Sequence, residues 1–236
     1  MIDILAMAVA ALGLVGCATF FDCVEGTGEP TTQGRELESF KGITIQGSMD
    51  VVIQQGPTQS VKVVAQENLL PLITTTVADD RLTIGSKECY TTNKGVKFYV
   101  TVPDIQALRI EGSGSFMGEG MITGESLVLE IIGSGDIRLD VGVGNLRTAI
   151  DGSGDVHLKG KAASHAVEIN GSGDINGVDL ATERCSVEIN GSGDCIVNVA
   201  TSLDVEINGV GDVRYKGAVQ DIRQDVNGIG DVERVE

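Results

Sequence analysis

Six aspartates recur at near-constant spacing in this 236-residue chain: Asp136, Asp155, Asp174, Asp194, Asp212 and Asp231. Asp50 holds the same place in an earlier phrase, and Ser115 takes it once. A row of carboxylates offers oxygen-ligand chemistry, so it could form a line of hard-cation sites, Ca2+ foremost, or accept main-chain N–H groups at its own turns as Asx turns do. On stacked units, carboxylates roughly 5 Å apart in water repel by about 1 kcal/mol per neighbour, and either use must offset that. The spacing favours the turn role, because Ca2+-binding β-rolls repeat Gly-Gly-x-Gly-x-Asp at about nine residues, whereas the interval here is 18 to 21. No cofactor is expected, and Ca2+ on this row is the weak alternative.

Other chemistry is sparser. Asn170, Asn190, Asn208 and Asn227 precede the corner glycine in four consecutive units, following Asp151 in the unit before. That pattern predicts an amide ladder along a stack. Glu130, Glu168, Glu188, Glu206 and Asp225 form an outward acidic strip. Catalysis finds little to work with. The two histidines are His157 and His165, no Cys-x-x-Cys occurs, and Gly-Ser-Gly marks a corner rather than a nucleophile elbow. Glycan hydrolases need paired carboxylates, but nearly every acid here belongs to a repeated column. His157 stands outward between Arg138 of the preceding unit and Asn176 of the next.

These residues are carried by one phrase repeated seven times, EGSGS, IGSGD, DGSGD, NGSGD, NGSGD, NGVGD and NGIGD, beginning at Gly112, Gly133, Gly152, Gly171, Gly191, Gly209 and Gly228. A fixed period of this length is the signature of a solenoid. Two residues before each first glycine stand Ile110, Ile131, Ile150, Ile169, Ile189, Ile207 and Val226, and four before stand Leu108, Leu129, Thr148, Val167, Val187, Val205 and Gln224. Alternation at period two predicts a strand with one buried face. Four residues past the glycine, Phe116, Ile137, Val156, Ile175, Cys195, Val213 and Val232 predict a second inward column. Between the strands, Gly133 and Gly135, Gly152 and Gly154, Gly171 and Gly173, Gly191 and Gly193, Gly209 and Gly211, and Gly228 and Gly230 turn the chain, with positive φ open to them. Looser returns are expected at residues 159–164 and 177–184. The predicted fold is all-β: a right-handed single-stranded parallel β-helix of 18 to 21 residues per coil. Residues 43–51 fit a first coil, and an insertion at 57–103, with strands of its own, is expected to cap or widen the N-terminal end.

A net charge of -17 excludes a nucleic-acid surface and disfavours adsorption to anionic lipid. Aromatics make up 3% of the chain and Trp is absent, so the core is built of Val, Ile and Leu. Residues 4–15 are apolar and too short to span a bilayer, and Leu14-Val15-Gly16-Cys17 follows. This resembles a bacterial lipobox, although no Lys or Arg precedes Arg35. The expected organisation is a lipoprotein signal peptide at 1–16, lipidation at Cys17, a tether at 17–39 and the β-helix head at 40–236. Cys23, Cys89, Cys185 and Cys195 then remain, an even number in an oxidising compartment. Their pairing is open, and Cys195 sits in an apolar column as a small buried hydrophobe.

Several short motifs occur together in order: Phe40-x-x-Ile43-x-Ile45-x-Gly47, Asp50-Val51-x-Ile53-x-Gln55-Gly56, Glu67-Asn68-Leu69-Leu70, Val100-x-Val102-Pro103-x-Ile105-x-x-Leu108, and the serial Gly-Ser-Gly-Asp corners. On these the chain resembles, over about residues 37–235, the bacterial auto-transporter adhesin family called the head GIN domain. The resemblance implies a single-stranded β-helix on a secreted or lipid-anchored bacterial protein, and it carries no catalytic residues across. The expectation is a non-catalytic, lipid-anchored cell-envelope protein, periplasmic or surface-exposed, whose head binds a cell-surface protein or glycan. A self-assembling, homo-oligomeric envelope scaffold is the alternative, and a glycan-active enzyme is the third reading.

Overall fold

The computed structural model of the chain describes residues 23–235. It is a β-solenoid of about seven turns, without helices among those residues. The first part contains β1 (Val24–Glu25), β2 (Pro30–Arg35), β3 (Gly42–Gly47), β4 (Asp50–Gln55), β5 (Ser60–Gln66), β6 (Ile73–Ala78), β7 (Arg81–Ser86), β8 (Tyr90–Thr91) and β9 (Lys97–Val102). The repeats supply β10 (Ala107–Gly112), β11 (Ser115–Gly133), β12 (Asp136–Gly152), β13 (Val156–Gly171), β14 (Ile175–Ile189) and β15 (Cys195–Ile207). The last coil is β16 (Val213–Lys216), β17 (Asp221–Val226) and β18 (Val232–Arg234).

Each of β11 to β14 runs from one glycine corner to the next, and all pair in parallel. The column read from the sequence is the register of the sheet: Ile110, Ile131, Ile150, Ile169, Ile189, Ile207 and Val226 are successive partners. Phe116, Ile137, Val156, Ile175, Cys195, Val213 and Val232 form the second column. From Ile110 to Ile207 and from Phe116 to Val213 these side chains are buried. A buried side chain of this size contributes about 1.5–3 kcal/mol, and no single coil could bury its own face.

The expected loose returns are absent. Residues 159–164 and 177–184 are strand, continuous with β13 and β14. They stack because Val143, Ala162, Thr182 and Val199 are successive buried partners there, and just beyond them Leu127, Leu146, His165, Cys185 and Leu203 form a third buried column in register. Its mixed residue types hide the alternation, and register shifts between His157 and Lys159 and between Gly177 and Ala181 displace it further.

The corners need glycine for two different reasons. Gly133 has φ +126, in the region that side chains avoid. Its companion Gly135 does not; there the limit is space, because a Cβ would collide with the carbonyl oxygen of Gly114 and the side chain of Ile110. The same clash with the corner of the preceding coil recurs to Gly230.

At the N-terminal end the chain order and the stacking order part. β7 pairs in parallel with β3, and β9 with β4, so the insertion supplies an extra rung ahead of the first coil. β5 then runs antiparallel to β9, and β6 antiparallel to β7. Residues 23–39 are not a tether: β2 lies antiparallel on β5, β1 pairs with β8, and a Cys23–Cys89 disulfide joins the segment to the insertion. Alternation is weak in β2 because it is an edge strand with mostly exposed side chains. The signal peptide and Cys17 lie outside the described residues.

Candidate functional site

The aspartate row is brought together, with a different bonding pattern from the one expected. Each carboxylate reaches the corner of the next coil rather than closing a turn at its own. The N–H of Asp194 donates to Asp174 Oδ1 at 2.8 Å, that of Asp212 to Asp194 Oδ1 at 2.9 Å, and that of Asp231 to Asp212 Oδ1 at 3.1 Å. Asp155 and Asp174 donate likewise to Asp136 and Asp155 at 3.4 and 3.3 Å. Ser115 extends the row by donating its hydroxyl to Asp50 Oδ1 at 2.6 Å. Stacking in register places a free corner N–H beside each carboxylate, and a charge-assisted bond offsets the repulsion between neighbours. Among the described residues, no group of three or more His, Cys, Asp or Glu side chains is placed to hold one metal ion.

The asparagine ladder forms as the sequence predicts. Asn190 Nδ2 donates to Asn170 Oδ1 and Asn208 Nδ2 to Asn190 Oδ1, both at 3.1 Å, and Asn170 begins the run on Asp151 at 2.9 Å. Each amide also donates to the glutamate two residues earlier: Asn170 to Glu168, Asn190 to Glu188 and Asn208 to Glu206. The acidic strip is therefore tied into the ladder. Arg109 binds Glu130 at 2.8 Å and Arg147 binds Glu168 at 2.7 Å, which neutralises its upper part. These columns are occupied in holding coil to coil.

Inside the stack, His165 replaces an aliphatic side chain and bonds the Thr148 hydroxyl at 2.9 Å. Both are buried, and desolvation pushes the imidazole pKa down to about 4. Sequence reading missed this pair, although Thr148 breaking an aliphatic column was its visible signal. Cys185 and Cys195 are buried free thiols, and burial pushes the pKa of Cys185 up to about 12 and that of Cys195 well above its usual value. Thiolate chemistry is closed to both.

Unique residues gather where the repeat lapses. Arg138, His157 and Asn176 are consecutive partners on the outer face, and Asp140, Lys159 and Asp179 are partners just beyond the shift. Register shifts fall at this level in three strand pairs, between Met117 and Met121 in β11–β12, His157 and Lys159 in β13–β14, and Gly177 and Ala181 in β14–β15, while β12–β13 stays in register. They leave a cleft of about 420 Å3. Leu139, Leu158 and Val178 give it an apolar floor, while the polar side chains form its sides. Lys159 stands 3.6 Å from Asp140 Oδ2, and Asp140 Oδ1 is buried without a hydrogen-bond partner. Arg138 leans on Asp136 of the aspartate row at 3.5 Å. The cleft therefore offers the cationic donors Arg138 and Lys159, the Asn176 amide and the Asp140 carboxylate at close quarters. Such a mixture suits a ligand rich in hydroxyl groups.

Comparison with known proteins agrees with the architecture. Residues 39–218 match the family described as "Putative auto-transporter adhesin, head GIN domain". The chain belongs to this family. Solved structures similar to this head GIN domain include two described as putative adhesins, one from Bacteroides fragilis and one from Parabacteroides distasonis. The first is 22% identical, with a TM-score of 0.86 over 90% of this chain and 100% of that one. The second is 26% identical, with a TM-score of 0.70 over 91% and 100%. A third, described as a putative lipid binding protein from Parabacteroides distasonis, is 21% identical, with a TM-score of 0.70 over 90% and 99%. No curated protein matches the chain.

Proposed function

We propose that this head GIN domain is a non-catalytic, adhesin-like head of the bacterial cell envelope, held to the membrane through lipid on Cys17, and that it binds a glycan in the cleft of Arg138, Asp140, His157, Lys159 and Asn176. The observation that carries this reading is the cleft itself. It is where register shifts in three strand pairs interrupt the repeat and where the unique side chains Arg138, Asp140, His157, Lys159 and Asn176 gather. Family membership and the adhesin descriptions of similar structures support the envelope role. The Cys23–Cys89 disulfide fits an oxidising compartment outside the cytoplasm.

A glycan fits better than a flat protein surface, because the cleft is concave and pairs donors with acceptors over an apolar floor. The test is a glycan array probed with the full chain and with Asp140→Ala and His157→Ala variants. Glycan binding that falls at least tenfold in the variants, with unchanged melting temperature, supports the reading. Equal binding by all three, or capture of protein partners alone, contradicts it. Independently, Cys17→Ala should move the protein from the membrane to the soluble fraction, and unchanged fractionation would rule out the anchor.

A further inference from the structure

We infer that the open edge of β17 is a homodimerisation surface, on which a second copy of this chain adds its own β17 antiparallel, about a two-fold axis at Gln224. Four observations lead there. First, β17 pairs with β15 on one side and with nothing on the other among the described residues. The N–H of Asn227 donates to the carbonyl of Ile207 at 2.7 Å, toward the body of the solenoid. Main-chain groups alternate sides along a strand, so those of Asp221, Arg223 and Asp225 face β15, and those of Ile222, Gln224 and Val226 face the open edge.

Second, apolar side chains are left uncovered there. Ile222 and Val226 continue the columns of buried Leu203 and Ile207, yet they are 39% and 38% exposed. Ile229, at the neighbouring corner, is 76% exposed. Third, the strand sequence Asp221-Ile222-Arg223-Gln224-Asp225-Val226 is self-complementary when reversed about Gln224. Ile222 then meets Val226 of the second copy on the core side, and Arg223 meets Asp225 of the second copy on the outer side. Gln224 meets its own copy, amide to amide. Among the described residues, neither Arg223 nor Asp225 has an ion-pair partner within the chain.

Fourth, the other end is closed to the same addition. β2, β5 and β6 run antiparallel over it, so head-to-tail stacking into a fibre is blocked. The contact is isologous and ends at two copies. A dimer built this way carries its two N-terminal caps at opposite ends. If the chain is anchored through its N-terminus, as proposed above, heads on two facing surfaces would meet tip to tip. The dimer itself does not depend on that anchor.

The test is the mass of the full chain carrying Cys17→Ala, measured by sedimentation up to about 100 µM, which detects weak association. A dimer is expected, with concentration-dependent dissociation. Gln224→Pro removes an N–H that points to the open edge and none that β15 uses, and proline is tolerated on an edge strand in that position. This variant should be monomeric at every concentration, with the same circular dichroism spectrum. Asp225→Arg should weaken the dimer at least several-fold by facing Arg223 with a like charge, and adding Arg223→Asp should restore it. A monomeric parent protein, an assembly that persists in Gln224→Pro, or a charge reversal without rescue overturns the proposal.

Discussion

At the N-terminal end of the solenoid, β2, β5 and β6 lie antiparallel over the first rungs, and the Cys23–Cys89 disulfide ties the segment down. At the C-terminal end, β17 and β18 lie parallel on the coil before them, with every side chain of β17 exposed. The repeat is the same at both ends, so the difference comes from what is added to it. A rung is stable when it has neighbours on both sides: its backbone groups are paired and its apolar column is covered. The cap gives the first rungs a second neighbour. Among the described residues the last coil has only one, and its share of the stabilisation is correspondingly smaller.

The largest expected contrast lies within one column. Ile189→Asp places an unpaired charge among fully buried neighbours and should cost about 5 kcal/mol or prevent folding. Val226→Asp, six coils down from Ile110 in the same column, should cost less than about 1 kcal/mol, because that position is already wet. Chemical denaturation of both variants checks this, and equal costs would refute the end-to-end difference. Next comes Cys89→Ala, which opens the disulfide. Closure of a loop spanning 66 positions restricts the unfolded chain by roughly 4 kcal/mol on the chain-entropy account. That loss should appear in the melting temperature and in proteolysis of residues 23–39, while the last coil is cleaved as before.

A third test uses acid. The buried His165 ring has its pKa lowered from 6.5 to about 4. Above pH 6.5 it is neutral in folded and unfolded chains alike, and its titration leaves stability unchanged. Between pH 6.5 and 4 the unfolded chain binds the proton and the folded one does not, so stability should fall by about 1.4 kcal/mol per pH unit, to a total loss of roughly 3 kcal/mol. His165→Leu should flatten that part of the profile measured by urea midpoints, and an unchanged slope would reject the assignment. The strain lies mid-stack, so acid should loosen the centre toward the behaviour of the open end.

The smallest contrast is in the amide ladder. Asn190→Ala breaks bonds to Asn170, Glu188 and Asn208 and should cost about 1 kcal/mol. Asn227→Ala loses one bond, to Asn208 at 3.3 Å, and should cost a few tenths.

Much of this was legible in the sequence, for a physical reason. A solenoid converts period into register, so Ile110, Ile131 and Ile150 could be placed side by side from their spacing alone. The aspartate and asparagine columns followed in the same way. The partner of each carboxylate was not legible, because an N–H of the same turn and an N–H of the next coil look alike in sequence. The third column was hidden by His165 and Cys185, whose residue types break an aliphatic pattern that their burial preserves. The stacking order of the N-terminal rungs was hidden too: parallel pairing of β7 with β3 is long-range and leaves no local period. The cleft was legible only in part. Arg138, His157 and Asn176 could be aligned, and the unequal intervals between corner glycines from Gly112 to Gly209, 21, 19, 19, 20 and 18 residues, already carry the register shifts, but that these leave a cleft depends on packing that no motif shows.

Hydrogen exchange of the full chain, followed residue by residue at dilute concentration, tests the central claim most directly. Amides of Ile43 to Ile53 should be protected as strongly as those of Ile150 and Ile169 in the middle coils, and amides of β17 and β18 should exchange orders of magnitude faster. Uniform protection from end to end, or slower exchange in the last coil than under the cap, would contradict the account.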